Sequence, residues 1–349
     1  MHIKRTPLPS IQQIQRQLPL QPKEREFIRD MRLRAQMVLQ RKLPELAIFV
    51  GPCSIHDSEA AIEYAIYLAE LAEELKDEFF LVMRLFIEKP RTELGWKGLL
   101  YDPYLDGSND IAEGIQRSRS LLLTMAKLKV PCACELLDPL IVGYFSDLIS
   151  WGFVGARTSA SPIHRQMASG MPFPVGFKND LHGKIDVAIA ASLTAQRPQS
   201  HVGLNEMGQI CALQTGGNPW THLVLRGSNE KPNFDPASVL SATQTLKRSG
   251  LPPHLLVDCA HGNSGKNHAK QKLAFESAFL QARQTNSPIF GLMLESHLFE
   301  GRQSLGKNPQ NLSYGISITD PCISWEETET WLREAALSCR PMDVASVRS

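Results

Sequence analysis

From residue 46 onward the chain repeats one pattern: a short apolar, β-rich run, a charged or reactive residue at its end, then a segment of helical length. Eight such runs can be read, at 46–50, 79–86, 132–136, 153–156, 174–178, 222–226, 255–258 and 289–294. Short runs that are apolar on both faces describe strands covered on both sides, and helices between them make successive strands parallel. Helical stretches at 58–75, 111–128, 236–249 and 269–283 separate several of the runs. Eight parallel strands are the number that closes, so the expected fold is a (β/α)8 barrel formed by residues 45–349 as a single domain. The segment 201–215 breaks the rhythm and reads as an inserted β-hairpin. Residues 1–44 also differ: Ile11, Ile14 and Leu18 form a short helical face, and 24–42 is a charged helical stretch carrying Phe27, Met31 and Val38. They are expected to form a helical extension that docks on another surface, in a regulatory or oligomer-forming role.

Charge narrows the function classes. Lys and Arg total 37 against 36 Asp and Glu, a net +1, so no global field draws the chain to nucleic acid or to an anionic membrane. The longest apolar runs are far too short to span a bilayer, and the first twenty residues lack the apolar stretch of a secretory signal. A cytoplasmic location is therefore expected. Seven scattered cysteines suit reduced thiols better than a disulfide framework. Cys132 and Cys134 share one face of a strand and read as small core residues, not as metal ligands.

The chemistry sits where the runs end. In order these positions carry Cys53, Arg84 with Lys89 and Arg91, Glu135, Arg157, Lys178, Arg226, His261 and Glu295. A barrel brings all of these ends to one face, where catalytic groups of this fold are found. Arg84, Lys89, Arg91, Arg157, Lys178 and Arg226 would place six cations against Glu135. Such a cluster repels itself unless anions enter it, and Arg and Lys suit carboxylate and phosphate, so multiply charged small substrates are expected. Cys53, His261, Glu295 and the later Asp320 form a second set. Thiolate, imidazole and carboxylate together suit a divalent transition metal better than Mg²⁺ or Ca²⁺, and such an ion acts as a Lewis acid on a carbonyl. Taken singly, each Arg reads equally well as a strand-end ion pair, and Cys53, His261, Glu295 and Asp320 each read more readily as a buried small side chain, a hydrogen-bonded core residue, a cap or an ion pair. It is their joint appearance beyond the strand ends that points to a site.

Several motifs are excluded. Residues 262–266 fail the phosphate-loop pattern, because only two residues separate the glycines and Asn267 stands where a hydroxyl residue belongs. No run is followed by G-x-G-x-x-G, and no G-x-S-x-G elbow is present.

Seven segments together resemble one family. Gly51-Pro52-Cys53-Ser54-Ile55-His56-Asp57, Glu88-Lys89-Pro90-Arg91-Thr92 with Gly95-Trp96-Lys97-Gly98, Gly155-Ala156-Arg157-Thr158 and Pro174-Val175-Gly176-Phe177-Lys178-Asn179 are the first four. Leu225-Arg226-Gly227, Glu295-Ser296-His297 and Ser317-Ile318-Thr319-Asp320 complete the set. In this order they resemble the type I, microbial class of 3-deoxy-D-arabino-heptulosonate 7-phosphate (DAHP) synthases, over nearly the whole barrel. The resemblance implies condensation of phosphoenolpyruvate with erythrose 4-phosphate, the entry step of the shikimate route to aromatic amino acids. It implies Cys53, His261, Glu295 and Asp320 as ligands of a divalent metal (Mn²⁺, Fe²⁺, Co²⁺ or Zn²⁺). It implies Arg84, Lys89, Glu135, Arg157, Lys178 and Arg226 around phosphoenolpyruvate, and Lys89, Pro90, Arg91, Thr92 and Asp320 around the aldose phosphate. Lys89, His261 and Cys53 are the implied catalytic residues, with Lys89 and His261 both open as proton carriers, and a homodimer or homotetramer is implied as the assembly.

Outside the barrel mouth the likeness weakens. Val142-Gly143 stands before Tyr144 where feedback-controlled relatives have Pro-Gln, and the extension reads Pro7-Leu8 where a relative has acidic residues. Weak or absent inhibition by Phe, Tyr and Trp is therefore expected. Two rival readings differ in class. A 3-deoxy-D-manno-octulosonate 8-phosphate synthase would share fold and chemistry, but Lys89-Pro90-Arg91-Thr92 favours the four-carbon aldose over that family's Lys-Ala-Asn-type segment. A non-catalytic regulatory barrel has no need of the intact set Cys53, His261, Glu295 and Asp320.

Overall fold

The computed structural model describes residues 3–91, 94–306 and 308–339. Eight parallel strands close into a barrel: β1 (Leu46–Gly51), β2 (Phe79–Arg84), β3 (Cys132–Glu135), β4 (Trp151–Val154), β5 (Val175–Lys178), β8 (Thr221–Leu225), β9 (Leu255–Asp258) and β10 (Ile289–Glu295). The missing numbers are an antiparallel hairpin, β6 (Gln199–Leu204) and β7 (Ile210–Thr215), paired from Gln199↔Thr215 to Leu204↔Ile210. Around the ring the order is β1-β10-β9-β8-β5-β4-β3-β2, so β9 stands between β8 and β10. The expected (β/α)8 barrel with an inserted hairpin is the observed architecture.

One strand is displaced from its expected place. β4 starts at Trp151, two residues before the run read from sequence, because Gly152 belongs inside the strand. A Cβ there would meet Leu136 Cδ1 at 2.8 Å and Phe173 Cε2 at 2.9 Å, so the glycine marks close packing and not a chain break.

The interior and the outer shell are separate apolar layers. Phe49, Phe80, Trp151, Phe153 and Phe290 fill the barrel, and Trp151 Nε1 donates to His222 Nε2 at 3.0 Å. Burial pulls the His222 pKa down to about 3, so the ring is a neutral acceptor in the core. Ala35, Val38 and Leu39 join this inner layer from helix α2 (Pro22–Leu39), which thereby covers one end of the barrel. The outer layer lies between the strands and α3 (Ser58–Glu74), α4 (Ile111–Lys127), α5 (Pro162–Ser169), α6 (Asp186–Ala195), α7 (Pro236–Arg248), α8 (Gln271–Ala282) and α9 (Trp325–Cys339).

Between β3 and β4 there is no α-helix, only a 3-10 turn at Val142–Tyr144. Carbonyls that a helix would have satisfied need other donors. Arg32 of α2 supplies them, with Nη2 on Ser146 O and Nε on Ile149 O at 2.9 Å. Arg119 of α4 bonds Tyr144 O at 2.7 Å and forks onto both oxygens of Asp147. Arg119 Nε also reaches Leu18 O at 2.9 Å, and helix α1 (Ile11–Gln17) meets the hairpin tip through Gln12 N–H to Glu206 O at 2.8 Å. All seven cysteines are free thiols, and Cys132 and Cys134 are buried in β3 as core residues. No helix among the described residues is long and apolar enough to cross a membrane.

Candidate active site

The C-terminal ends of the strands surround a cleft of about 350 Å³. Arg84, Lys89, Pro90, Arg91, Glu135, Arg157, Lys178, Arg226, His261 and Asp320 line it. Cys53 and Glu295 lie buried beside them, and Thr92 lies outside the described residues. Two glycines make room. At Gly51 (φ +148) a Cβ would meet Arg84 O at 2.9 Å, and at Gly155 it would meet the Glu135 carboxylate at 2.2 Å. The loop after β1 is then fixed by Asp57, whose side chain accepts from Glu59 N and Ala60 N as the N-cap of α3.

The cations are not opposed by Glu135 alone. Arg84 Nη2 is 3.0 Å from Glu295 Oε1, and both side chains are buried. Lys178 Nζ is 2.9 Å from Asp258 Oδ2, also buried, and Lys89 Nζ is 3.5 Å from Asp320 Oδ2. Burial works against the charge of Asp258, yet the adjacent His261 and Lys178 hold its carboxyl far below the usual carboxylate range. Sequence reading did not single out Asp258. Its signal was a carboxylate at a strand end, three residues before His261, opposite a lysine whose strand was not adjacent in sequence. Arg226 keeps a different balance: burial lowers its pKa first, Asp258 raises it, and the like charge of Arg157 lowers it again. Arg157 and Arg226 are thus close enough to favour an anion between them.

Three of the four expected metal ligands converge. Donor atoms of Cys53, Glu295 and Asp320 all lie within 4.8 Å of one another. His261 stands beside the group, with Nε2 3.5 Å from Glu295 Oε1 and Nδ1 2.9 Å from Asp258 Oδ2. Lys89 supplies the local positive charge, Nζ lying 2.7 Å from Cys53 Sγ. Burial opposes that ammonium, but Cys53, Asp320 and Glu295 hold its pKa above the ordinary lysine value. Burial, then Glu295, pushes the Cys53 thiol up to about 12, with Lys89 working against them. A buried thiol among two carboxylates becomes a thiolate only beside strong positive charge, so this donor set suits a divalent ion.

Behind the cleft three asparagines fasten the strand ends to one another. Asn179 Oδ1 accepts from Arg226 N at 2.8 Å, and its amide donates to Gly227 O. Asn233 Oδ1 accepts from Gly227 N at 2.7 Å. Asn263 donates to Leu225 O and Asp258 O and accepts from Asn233 N. The backbones that carry Lys178, Arg226 and Asp258 are therefore cross-linked by the buried amides of Asn179 and Asn263 and the half-buried amide of Asn233.

A family profile described as the DAHP synthetase I family matches residues 32–333. The chain belongs to this family. It is 45% identical over 323 residues to the Tyr-sensitive phospho-2-dehydro-3-deoxyheptonate aldolase of Escherichia coli K12, covering 93% of this chain and 90% of that protein. It is 47% identical over 291 residues to the Tyr-sensitive protein of Salmonella typhimurium, covering 83% and 82%. A solved structure of phospho-2-dehydro-3-deoxyheptonate aldolase from Francisella tularensis SCHU S4 superposes with a TM-score of 0.93 at 38% identity, covering 97% of this chain and 99% of that one.

Membership makes this member of the DAHP synthetase I family an enzyme of the DAHP synthase class, as the motifs implied. Two further residues come to light against that background. Lys266, within the segment excluded as a phosphate loop, lines the cleft. Glu88, one residue before Lys89, is buried with Oε1 unpartnered, and burial followed by the nearby Asp138 pushes its carboxyl up to about 8. Neither could be found from spacing, since one lies in a loop of irregular backbone and the other is defined by what surrounds it.

Proposed function

We propose that this enzyme condenses phosphoenolpyruvate with D-erythrose 4-phosphate to DAHP and inorganic phosphate, the first step of the shikimate pathway, in a metal-dependent reaction. The observation that carries the reading is the convergence of Arg84, Lys89, Arg157, Lys178 and Arg226 on a cleft that also holds the Cys53, Glu295 and Asp320 donors. Cys53, His261, Glu295 and Asp320 would hold the ion, one of Mn²⁺, Fe²⁺, Co²⁺ or Zn²⁺. When bound, it supplies Lewis acidity toward the aldehyde oxygen.

The residues account for the rest. Arg157, Lys178 and Arg226 would take the phosphate of phosphoenolpyruvate, and Arg84 and Lys89 its carboxylate, with Glu135 at the edge of the same subsite. Lys89, Pro90, Arg91, Thr92 and Asp320 would hold the aldose phosphate so that its aldehyde carbon faces C3 of the enol. Holding two polyanions in one orientation is the larger part of the catalysis, because each alone would repel the other. C3 attacks the aldehyde carbon, water adds at C2, and the C2–O bond to phosphate breaks. Lys89 and His261 are the groups within reach that can hold or pass the protons.

The assembly would be a homodimer or homotetramer acting on small soluble substrates in the cytoplasm, with residues 1–44 as the regulatory or oligomer-forming extension. The test is consumption of phosphoenolpyruvate with erythrose 4-phosphate, before and after chelation, with metals restored one at a time. Turnover lost on chelation and regained with a divalent ion is expected. Equal turnover with arabinose 5-phosphate, or none with either aldose, would overturn the reading.

A further inference from the structure

We propose that Lys266 binds the phosphate of the aldose substrate, an inference that rests on the reaction proposed above. Lys266 lines the cleft, yet unlike Arg84, Lys89 and Lys178 its side chain has no carboxylate at ion-pair distance among the described residues. Lys266 is exposed at the mouth of the cleft, and an ammonium beside a polyanion site without an internal carboxylate partner is available to a substrate anion.

The backbone holds it there. His261 (φ 52) and Lys266 (φ 60) are both left-handed without being glycine, and Lys266 N–H donates to His261 O at 2.8 Å, closing the loop between them. Two non-glycine residues in this sparsely populated region mark a loop whose shape is set by its surroundings. At Gly262 a Cβ would meet Ser228 O at 2.4 Å, and the Asn263 amide is bonded to Leu225 O and Asp258 O, so the root of the loop is pinned to two strand ends.

Its position selects the substrate. The loop follows β9, next to β10, whose end bridges to the segment carrying Asp320 through Ser296 and Ile323. The charge of Lys266 acts on Asp320, together with Lys89 and His261. This is the side of the cleft given to the aldose. A phosphate arriving beside the Asp320 carboxylate would be repelled without a neighbouring cation, and Lys266 is placed to offset that repulsion.

The test compares the metal-loaded enzyme with Lys266→Gln and Lys266→Arg. The glutamine variant should raise KM for erythrose 4-phosphate roughly tenfold or more and leave KM for phosphoenolpyruvate within about twofold, as expected for one charge-assisted contact. Lys266→Arg should recover most of the loss, and melting temperature should not move. With unphosphorylated erythrose the two proteins should have equal kcat/KM. An unchanged KM for the aldose, an equal rise for phosphoenolpyruvate, or the same loss with erythrose would each overturn the assignment. If the wild-type enzyme does not turn over these substrates, the reaction itself is wrong, and calorimetric titration with inorganic phosphate then decides Lys266. Weaker binding by the glutamine variant supports the anion contact, and equal binding overturns it.

Discussion

The ammonium of Lys89 lies 2.7 Å from the sulfur of Cys53, closer than the Asp320 carboxylate at 3.6 Å. The pair joins the loop after β1 to the loop after β2 and sets the polarity of the donor group formed with Asp320 and Glu295. Replacing Cys53 by Ser should lower bound divalent metal and activity together while the fold persists, because the hard hydroxyl is a poorer ligand than the thiolate. Metal analysis of purified protein alongside steady-state rates checks this, and full occupancy with full loss of activity would assign Cys53 a different role.

Arg157→Ala should remove a charge-assisted contact to the phosphate of phosphoenolpyruvate worth about 2 to 5 kcal/mol if the pair is desolvated. The loss should appear in kcat/KM for phosphoenolpyruvate. Unchanged catalytic efficiency would count against the subsite.

Asp258 carries no substrate in the proposed arrangement, yet Lys178 and His261 both lean on it. Asp258→Asn leaves the Lys178 ammonium buried without its counter-charge, a change that costs about 3 to 5 kcal/mol in comparable buried pairs. Denaturant unfolding should show a lower midpoint. Saturating phosphoenolpyruvate should restore part of the stability, since its anionic groups replace the missing carboxylate.

Glu88 gives a pH signature. Its folded-state pKa of about 8 lies above the ordinary carboxyl value, because burial and Asp138 disfavour the anion, while Glu135 adds to the effect and Tyr101 shares the cluster. The stability it contributes is present below the unfolded pKa and is lost as pH rises through the folded one. Glu88→Gln should therefore gain on the wild type progressively between pH 5 and 8 and hold a constant difference above that range. Parallel stability curves for the two proteins would show that Glu88 does not titrate there.

Phe, Tyr and Trp should each leave the initial rate nearly unchanged from submicromolar to millimolar concentration. Gly143 lets α1 approach closely, since a Cβ there would meet Ile11 Cδ1 at 2.6 Å, and Val142-Gly143 before Tyr144 is the stretch on which weak inhibition is expected. Strong inhibition by any one of the three in the activity assay would show that the sequence differences do not matter.

Alternation of apolar runs with helical segments was enough to specify eight strands, their parallel sense and the face that carries the chemistry, because these follow from local periodicity and from the geometry of closure. The residue types at the run ends led to the expectation of cations for anions and a mixed donor set for a metal, and the structure brings Cys53, Glu295 and Asp320 within 4.8 Å of one another. Which carboxylate answers which cation was decided only by the tertiary structure. Asp258 meets Lys178 because β9 and β5 flank β8 in the closed ring, although 80 residues separate the two in sequence. Gly152 lay outside the run read at 153–156 and is inside β4, where Leu136 and Phe173 leave no room for a side chain. Lys266 lay in a loop with no recognisable motif, and its backbone conformation, fixed by neighbours far away in sequence, brought it to the cleft. Periodicity is a property of near neighbours along the chain, whereas ion pairing and burial depend on distances that exist only once the barrel has closed.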